Sequence, residues 1–206
     1  MAPNFADLFE HAADVFGERI AVVSGGRRVT YRELDERTNR LAHYLAGIGI
    51  GVGDHVGLYA HNSIEAAETL LASCKLRAAA ININYRYTEN ELQYMFADAD
   101  PAALVCDRQF APRAAAASRA APGLRGTVVI EDGSDADPGG GTGYAAALAA
   151  ASPARDFPPR SGDDVYIIYT GGTTGYPKGV MWRHEDIWRT LAGGIDFLTG
   201  VPLADE

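Results

Sequence analysis

The sequence predicts an α/β fold in which a mostly parallel sheet is flanked by helices. Three observations support this class: apolar strand-like runs alternate with segments of helical periodicity, capping patterns introduce the helices, and a glycine-rich loop follows an apolar run at 165–169. Alternation of this kind favours a parallel sheet that is covered on both faces, with ligands expected at the carboxyl ends of its strands.

Length, composition and charge limit the kind of protein. The chain has 206 residues, of which 47% are hydrophobic and 22% are charged, which is typical of a globular protein with a substantial core. Its formal net charge of −9 disfavours nucleic acid and anionic membranes as partners. The sequence lacks a signal-peptide pattern and a run of about 18 apolar residues, so we expect a cytoplasmic protein with no stable membrane insertion.

The two cysteines are expected to be buried thiols. Cys74 and Cys106 lie far apart in apolar contexts and form no C-x-x-C pair. Free thiols of this kind are typical of a reducing compartment, which agrees with the expected cytoplasmic location.

The first part of the chain predicts a helix, a hairpin and a second helix. Residues 4–16 predict an amphipathic helix that packs its apolar face on the body of the domain. The apolar residues at helical intervals are Phe5, Leu8, Phe9, Ala12, Val15 and Phe16. Residues 20–30 predict a hairpin, because the Gly-Gly pair at 25–26 supplies the positive φ of a tight turn. Thr30 and Glu33 form a capping-box pattern, so we expect a long helix to begin directly after Thr30.

The rest of the chain alternates strand-like runs with helical segments. Strands are predicted at 55–60, 78–83, 102–106, 127–130 and 165–169, and helices at about 63–77, 88–100 and 111–121. Asn62 or Ser63 is placed to cap the first of these helices, and Thr88 with Glu91 repeats the capping box for the second. The third is expected to be a surface helix that its prolines interrupt.

Two other segments invite a functional interpretation that the sequence does not favour. Residues 131–143 are acidic and glycine-rich, which predicts an exposed and mobile loop; its run of glycines lacks a following lysine and is expected to be a flexible connection. His184 stands where a helix is expected to begin. A packing or capping role is favoured over a catalytic one, because no cysteine or serine nucleophile pattern accompanies it.

The segment 169–180 has the composition of a phosphate-binding loop. It reads Tyr-Thr-Gly-Gly-Thr-Thr-Gly-Tyr-Pro-Lys-Gly-Val and directly follows the apolar run at 165–169. Glycines let backbone N–H groups approach an anion, threonine hydroxyls add donors, and the lysine supplies a positive charge. The residues that we assign to phosphate binding are Thr170, Gly171, Gly172, Thr173, Thr174, Gly175 and Lys178. An ordinary turn would have no reason to combine these residues in this order.

The spacing of the loop does not match a Walker A motif. That motif requires Ser or Thr directly after the lysine, at the start of a helix. Here Gly179 follows Lys178, and Val180 and Met181 continue the chain in strand-like residues. A P-loop NTPase or kinase is therefore disfavoured.

The loop instead resembles that of the adenylate-forming superfamily. Acyl-CoA synthetases, luciferases and the adenylation domains of peptide synthetases carry the form Tyr-Thr-Ser-Gly-Thr-Thr-Gly-x-Pro-Lys-Gly-Val, and eleven of the twelve positions fit here. Gly171 replaces the usual Ser. Glycine at this position, followed by Met-Trp-Arg at 181–183, resembles the fatty-acyl and sterol-type CoA ligases.

The resemblance extends along nearly the whole chain and implies an ATP-dependent acyl-CoA synthetase. It places residues 1–206 in the N-terminal part of the large AMP-binding domain, so that the chain would be truncated, with the C-terminal domain absent and the fragment inactive alone. The implied ligands are ATP, Mg²⁺, coenzyme A and a fatty or sterol side-chain carboxylic acid. Lys178 would stabilise phosphate charge and not act as a general base, and Thr174 would lie near Mg²⁺.

Other functions stay open from the sequence alone. The chain is also compatible with a non-catalytic nucleotide-binding or scaffold module of the same fold, and with a luciferase-like or peptide-synthetase adenylation domain. A partial domain is expected to expose sheet edges, which favours self-association.

Overall fold

In the computed structural model of the protein, residues 4–170, 176–191 and 201 are described. The helices are α1 (Phe5–Phe16), α2 (Tyr31–Gly47), α3 (Ile64–Lys75), α4 (Glu89–Ala99), α5 (Ala111–Ala117), α6 (Tyr144–Ala149) and α7 (His184–Leu191). The strands are β1 (Ile20–Ser24), β2 (Arg27–Thr30), β3 (His55–Tyr59), β4 (Ala79–Asn82), β5 (Ala103–Asp107), β6 (Gly126–Ile130), β7 (Thr142–Gly143), β8 (Val165–Thr170) and β9 (Lys178–Arg183).

The main sheet is mostly parallel, as the sequence predicted. Its seven strands follow the order β7-β6-β5-β3-β4-β8-β9, and β1 pairs with β2 in a separate antiparallel hairpin. Neighbouring strands from β7 to β8 are parallel, whereas β8 and β9 are antiparallel. The carboxyl ends of the parallel strands therefore meet at one edge of the sheet, which is where ligand sites of α/β folds lie.

The predicted caps form where the sequence placed them. The hydroxyl of Thr30 accepts from the Glu33 N–H, and the Glu33 carboxylate accepts from the Thr30 N–H. Of the two candidates for the cap of α3, it is Ser63 whose hydroxyl accepts from Ala66 N–H. The Gly-Gly pair at 25–26 has φ of 57° and 80°, which confirms the tight turn of the hairpin.

Helices cover both faces of the sheet and form a core on each. Along β5, Ala103 and Val105 join a core with α2, α3 and α6, whereas Leu104 and Cys106 join a core with α4 and α5. Successive side chains of a strand point to opposite faces, so this division follows directly from the strand geometry. The interior strand β5 is buried along its whole length.

Three local expectations need correction. In α1 the small residues Ala6 and Ala13 are buried, while Val15 and Phe16 are 56% and 41% exposed, so close helix packing favours alanine over the larger side chains. Pro112 lies in the first turn of α5 and does not interrupt it, since a proline there loses no helical hydrogen bond. Every third residue of α5 from Ala111 is buried, so the helix is not confined to the surface.

The segment 131–143 ends in a strand. Its last two residues form β7 and pair with β6, so the predicted connection is partly sheet. A Cβ at Gly141 would lie 2.6 Å from the Val129 side chain, which explains a glycine at this close approach. Nearer its start, the Asp132 carboxylate accepts hydrogen bonds from the backbone and side chain of Gln109. Mobility of this loop stays a prediction.

A buried ionic cluster joins the helices on one side of the molecule. The side chain of Lys75 is fully buried and contacts the carboxylates of Glu10 and Asp35, the latter at 2.9 Å. Arg155 also binds Asp35, at 2.8 Å, and Arg160 binds Glu10 at 2.7 Å. The cluster connects α1, α2 and α3 with the irregular segment that leads to β8.

Candidate functional site

The candidate site lies at the end of the β8–β9 hairpin. The two strands pair without a break from Val165 opposite Arg183 to Thr170 opposite Lys178. Cross-strand partners project their side chains on the same face, so Thr170 and Lys178 flank the loop together. Both residues are exposed. Because β8 is parallel to β4, the loop lies at the carboxyl edge of the sheet.

The structure describes the ends of the predicted phosphate loop. Thr170 and Lys178 are described, whereas Gly171, Gly172, Thr173, Thr174 and Gly175 lie outside the described residues. The chain continues beyond Lys178 as a strand, and α7 begins only at His184. The Walker A interpretation is therefore excluded by geometry, since that motif places its lysine at the start of a helix.

Helix α4 contacts the chain on both sides of the loop. The sequence alone did not predict these contacts. On the entry side, the Tyr169 hydroxyl donates to the Asp98 carboxylate at 2.7 Å. On the exit side, the Tyr94 hydroxyl donates to the Pro177 carbonyl at 3.2 Å, and the rings of Tyr94 and Tyr176 stack at 4.4 Å. Tyr94 and Asp98 are four residues apart, so they share a helix face.

Gly179 makes room for the entry-side contact. It is the cross-strand partner of Tyr169, and a Cβ at this position would lie 3.1 Å from the tyrosine ring. The ring therefore lies over the glycine on its way to Asp98. Burial and the nearby Asp98 carboxylate raise the pKa of Tyr169, so its hydroxyl remains a proton donor at neutral pH.

The other end of the hairpin is fixed by a buried polar junction. The Asp164 carboxylate, just before β8, accepts from the Asn4 side chain at 2.9 Å and from Arg77 at 2.9 Å. His184, just after β9, is 1% exposed and stacks on Phe5 with ring centroids 4.6 Å apart. The Phe5 N–H donates to Nδ1 of His184. These contacts favour the packing role of the histidine.

Electrostatics around His184 agree with a neutral ring. Burial lowers its pKa, and the nearby Asp164 and Asp7 carboxylates only partly offset that effect. A neutral ring has one nitrogen free to accept, which matches the hydrogen bond from the Phe5 backbone.

A second cluster lies at the same edge of the sheet. Nδ1 of His61, which follows β3, lies 2.7 Å from the Asp107 carboxylate at the end of β5. The same carboxylate also accepts a hydrogen bond from the backbone N–H of His61. The His61 ring packs against Tyr85 and Phe110, with centroids 4.2 Å and 5.2 Å away. The position of each residue directly after a predicted strand, 55–60 or 102–106, was the available sequence signal. A carboxylate that holds one ring nitrogen fixes the orientation of the histidine.

The thiols are free and buried, as predicted. Burial raises the pKa of both Cys74 and Cys106 to about 12. Since the thiolate is the reactive form, neither cysteine is a suitable nucleophile in this fold.

Two features are absent from the described ranges 4–170, 176–191 and 201. In that part of the chain, no group of three or more His, Cys, Asp or Glu side chains is arranged to hold a metal ion. None of the helices there combines the length and apolar character needed to cross a bilayer.

Comparison with known proteins identifies the family. A model of the AMP-binding enzyme family matches residues 9–202, and the chain belongs to this family. Over its full length it is 56% identical to a 3-oxocholest-4-en-26-oate–CoA ligase of Rhodococcus rhodochrous. It is also 50% identical to a medium/long-chain-fatty-acid–CoA/3-oxocholest-4-en-26-oate–CoA ligase of Mycolicibacterium smegmatis. The chain spans 38% of the length of each of these curated relatives.

A solved structure shows the same architecture. The crystal structure of the anthranilate–CoA ligase AuaEII in complex with anthranoyl-AMP superposes with a TM-score of 0.84 at 26% identity. The match covers 94% of this chain and 37% of that protein. The predicted fold class and the resemblance to adenylate-forming enzymes are therefore confirmed.

Proposed function

We propose that the complete protein is an AMP-forming acyl-CoA ligase. It would convert a carboxylic acid and ATP into an acyl-adenylate and pyrophosphate, and then transfer the acyl group to coenzyme A with release of AMP. The observation that carries this proposal is the β8–β9 hairpin of an AMP-binding enzyme, which presents Thr170 and Lys178 together at the carboxyl edge of the sheet.

The first step requires stabilisation of phosphate charge. An oxygen of the carboxylate attacks the α-phosphorus of ATP, the bond to the bridging oxygen breaks, and the electron pair leaves with pyrophosphate. The carboxylate is ionised at neutral pH and needs no general base. The Lys178 ammonium and the Thr170 hydroxyl would hold the β- and γ-phosphates, where negative charge accumulates.

The same loop would supply the remaining phosphate contacts. We assign Gly171, Gly172, Thr173, Thr174 and Gly175 to this role from their residue types, with the Thr174 hydroxyl directed to Mg²⁺. When bound, Mg²⁺ neutralises phosphate charge and orients the leaving group.

The substrate class follows from the relatives and the loop. We propose a sterol side-chain acid or a medium- or long-chain fatty acid, since the relatives at 56% and 50% identity are named for such acids. Gly171 and the Met-Trp-Arg sequence at 181–183 support the same class.

Two further properties belong to this proposal. Free buried thiols support a cytoplasmic location. The exposed strand β9, where Met181 is 73% exposed, supports self-association of the 206-residue chain.

The test is removal of the loop cation in the complete protein. Lys178→Ala should reduce acid-dependent ATP–pyrophosphate exchange by about 100-fold or more, because one group that stabilises developing charge is lost. The assay uses 3-oxocholest-4-en-26-oate and a long-chain fatty acid as substrates. Arg189→Ala, which removes an exposed cation of α7, is the matched control and should leave exchange unchanged. Equal exchange by Lys178→Ala and the parent protein would refute the assignment.

A further inference from the structure

Helix α4 supports the candidate phosphate loop from both sides. Asp98 accepts a hydrogen bond from Tyr169, the last residue but one of β8, and Tyr94 donates to the carbonyl of Pro177, the residue before β9. Tyr94 also stacks on Tyr176 at 4.4 Å. One face of one helix therefore contacts the chain immediately before and after the glycine-rich segment.

We propose that Tyr94 and Asp98 are positioning residues for the phosphate loop. This inference rests on the proposed function, and it assigns to α4 the task of holding the loop ends in the geometry that accepts the β- and γ-phosphates. Neither residue needs to touch the nucleotide. The Asp98 carboxylate is an anion and is unsuited to bind phosphate, so it acts through Tyr169.

The need for such support follows from the composition of the loop. The residues between the paired ends Thr170 and Lys178 include three glycines, which have more backbone freedom than any other residue. Ordering them around an anion costs conformational entropy, and fixing both ends beforehand lowers that cost. Electrostatic stabilisation is effective only when its donors are preorganised.

The residues around these contacts also agree with a positioning role for Tyr94 and Asp98. The hydrophobic face of α4 is fixed by Leu92, Met95 and Phe96, all of which are fully buried. Tyr94 and Asp98 are therefore attached to a rigid helix and not to a loop. Gly179 leaves the space that lets the Tyr169 ring reach Asp98.

The experiment compares the two half-reactions in the complete protein. Tyr94→Phe, Tyr169→Phe and Asp98→Ala should each slow ATP–pyrophosphate exchange by roughly three- to tenfold, the equivalent of one hydrogen bond. Transfer of the acyl group from preformed acyl-adenylate to coenzyme A should keep the parent rate, because the β- and γ-phosphates play no part in it. Asp98→Asn, which keeps an acceptor oxygen, should restore most of the exchange activity.

A double variant and a matched control complete the design. Tyr169→Phe combined with Asp98→Ala should lose no more activity than either single variant, since both remove the same hydrogen bond. Tyr87→Phe removes the hydroxyl of a half-buried tyrosine just before α4 and should change neither half-reaction. Thermal unfolding of each variant verifies that the fold is kept.

Each alternative outcome is decisive. Equal slowing of both half-reactions would show a merely structural role and overturn the inference, as would unchanged exchange in Tyr94→Phe and Asp98→Ala. The Lys178→Ala variant separates the two proposals. If it slows exchange while the α4 variants do not, the positioning inference fails and the phosphate-loop assignment stands. If it does not slow exchange, the loop assignment fails, and the positioning inference fails with it. Absence of acid-dependent exchange in the parent protein would refute the proposed function itself.

Discussion

The centre of the sheet and its β8–β9 hairpin are held in different ways. All five residues of β5 are buried between two helical layers, whereas all six residues of β9 are exposed. The hairpin is attached through β4, through the α4 contacts at its loop end, and through Asp164 and His184 at its base. The buried interior of the sheet therefore stabilises the fold, whereas the candidate phosphate site lies at the exposed hairpin.

In the 206-residue chain this separation has an energetic consequence. A segment with few buried apolar contacts opens at lower free energy than a central strand. The position of the β8–β9 hairpin can therefore depend on its few hydrogen bonds to α4, while the core stays intact. Perturbations of the centre should change stability, and perturbations of the hairpin should change nucleotide chemistry first.

The largest expected effect concerns the buried ionic cluster that joins α1, α2 and α3. Lys75→Met should lower the free energy of unfolding by about 3 kcal/mol or more, because it removes the buried cation that Glu10 and Asp35 share. Urea unfolding measures the change. Arg32→Met breaks an exposed pair with Glu18 and should cost far less, so equal losses in the two variants would contradict the prediction.

A matched pair of truncations tests the two regions directly. Leu104→Ala in β5 should cost about 2–5 kcal/mol, because a side chain that is 1% exposed leaves a cavity. Ile168→Ala in β8, where the side chain is 39% exposed, should cost much less. Chemical denaturation of both variants gives the comparison, and a larger loss for Ile168→Ala would mean that the hairpin belongs to the core.

The smallest expected effect is the pH dependence contributed by His184. Its pKa is lowered by burial, so the unfolded chain binds the proton first as the pH falls below the ordinary value of 6.5. This histidine therefore stabilises the fold least at acidic pH, and the loss begins as the pH falls through about 6.5. The free energy of unfolding at about pH 7.5 and pH 5.5 should differ less in His184→Gln than in the parent. His11→Gln, at an exposed position, is the control and should keep the parent difference.

Much of the fold was predictable because its signals are local. Thr30 with Glu33 sets the start of α2, and the Gly-Gly pair at 25–26 sets the hairpin turn. The apolar run at 102–106 predicted the buried strand β5. One local pattern misled. Apolar periodicity overestimated the burial of Val15 and Phe16, since periodicity does not reveal how closely a neighbouring helix approaches.

The candidate site was predictable only in part, for a related reason. The identity of the loop depends on consecutive residues between Thr170 and Lys178, and their order is visible in the sequence. Its supports depend on pairs separated by 71 residues, Asp98 with Tyr169, and by 83 residues, Tyr94 with Pro177. Contacts over such distances are set by the sheet order, which a single sequence does not specify.

The reactivity of the two buried thiols can report local opening of the structure. Cys74 lies beneath the hairpin base, with its sulfur 4.0 Å from Nε2 of His184, while Cys106 belongs to the interior strand β5. Each becomes open to an alkylating reagent only when its surroundings separate. The alkylation rate of Cys74 therefore reports detachment of the hairpin, and the alkylation rate of Cys106 reports unfolding of the sheet interior.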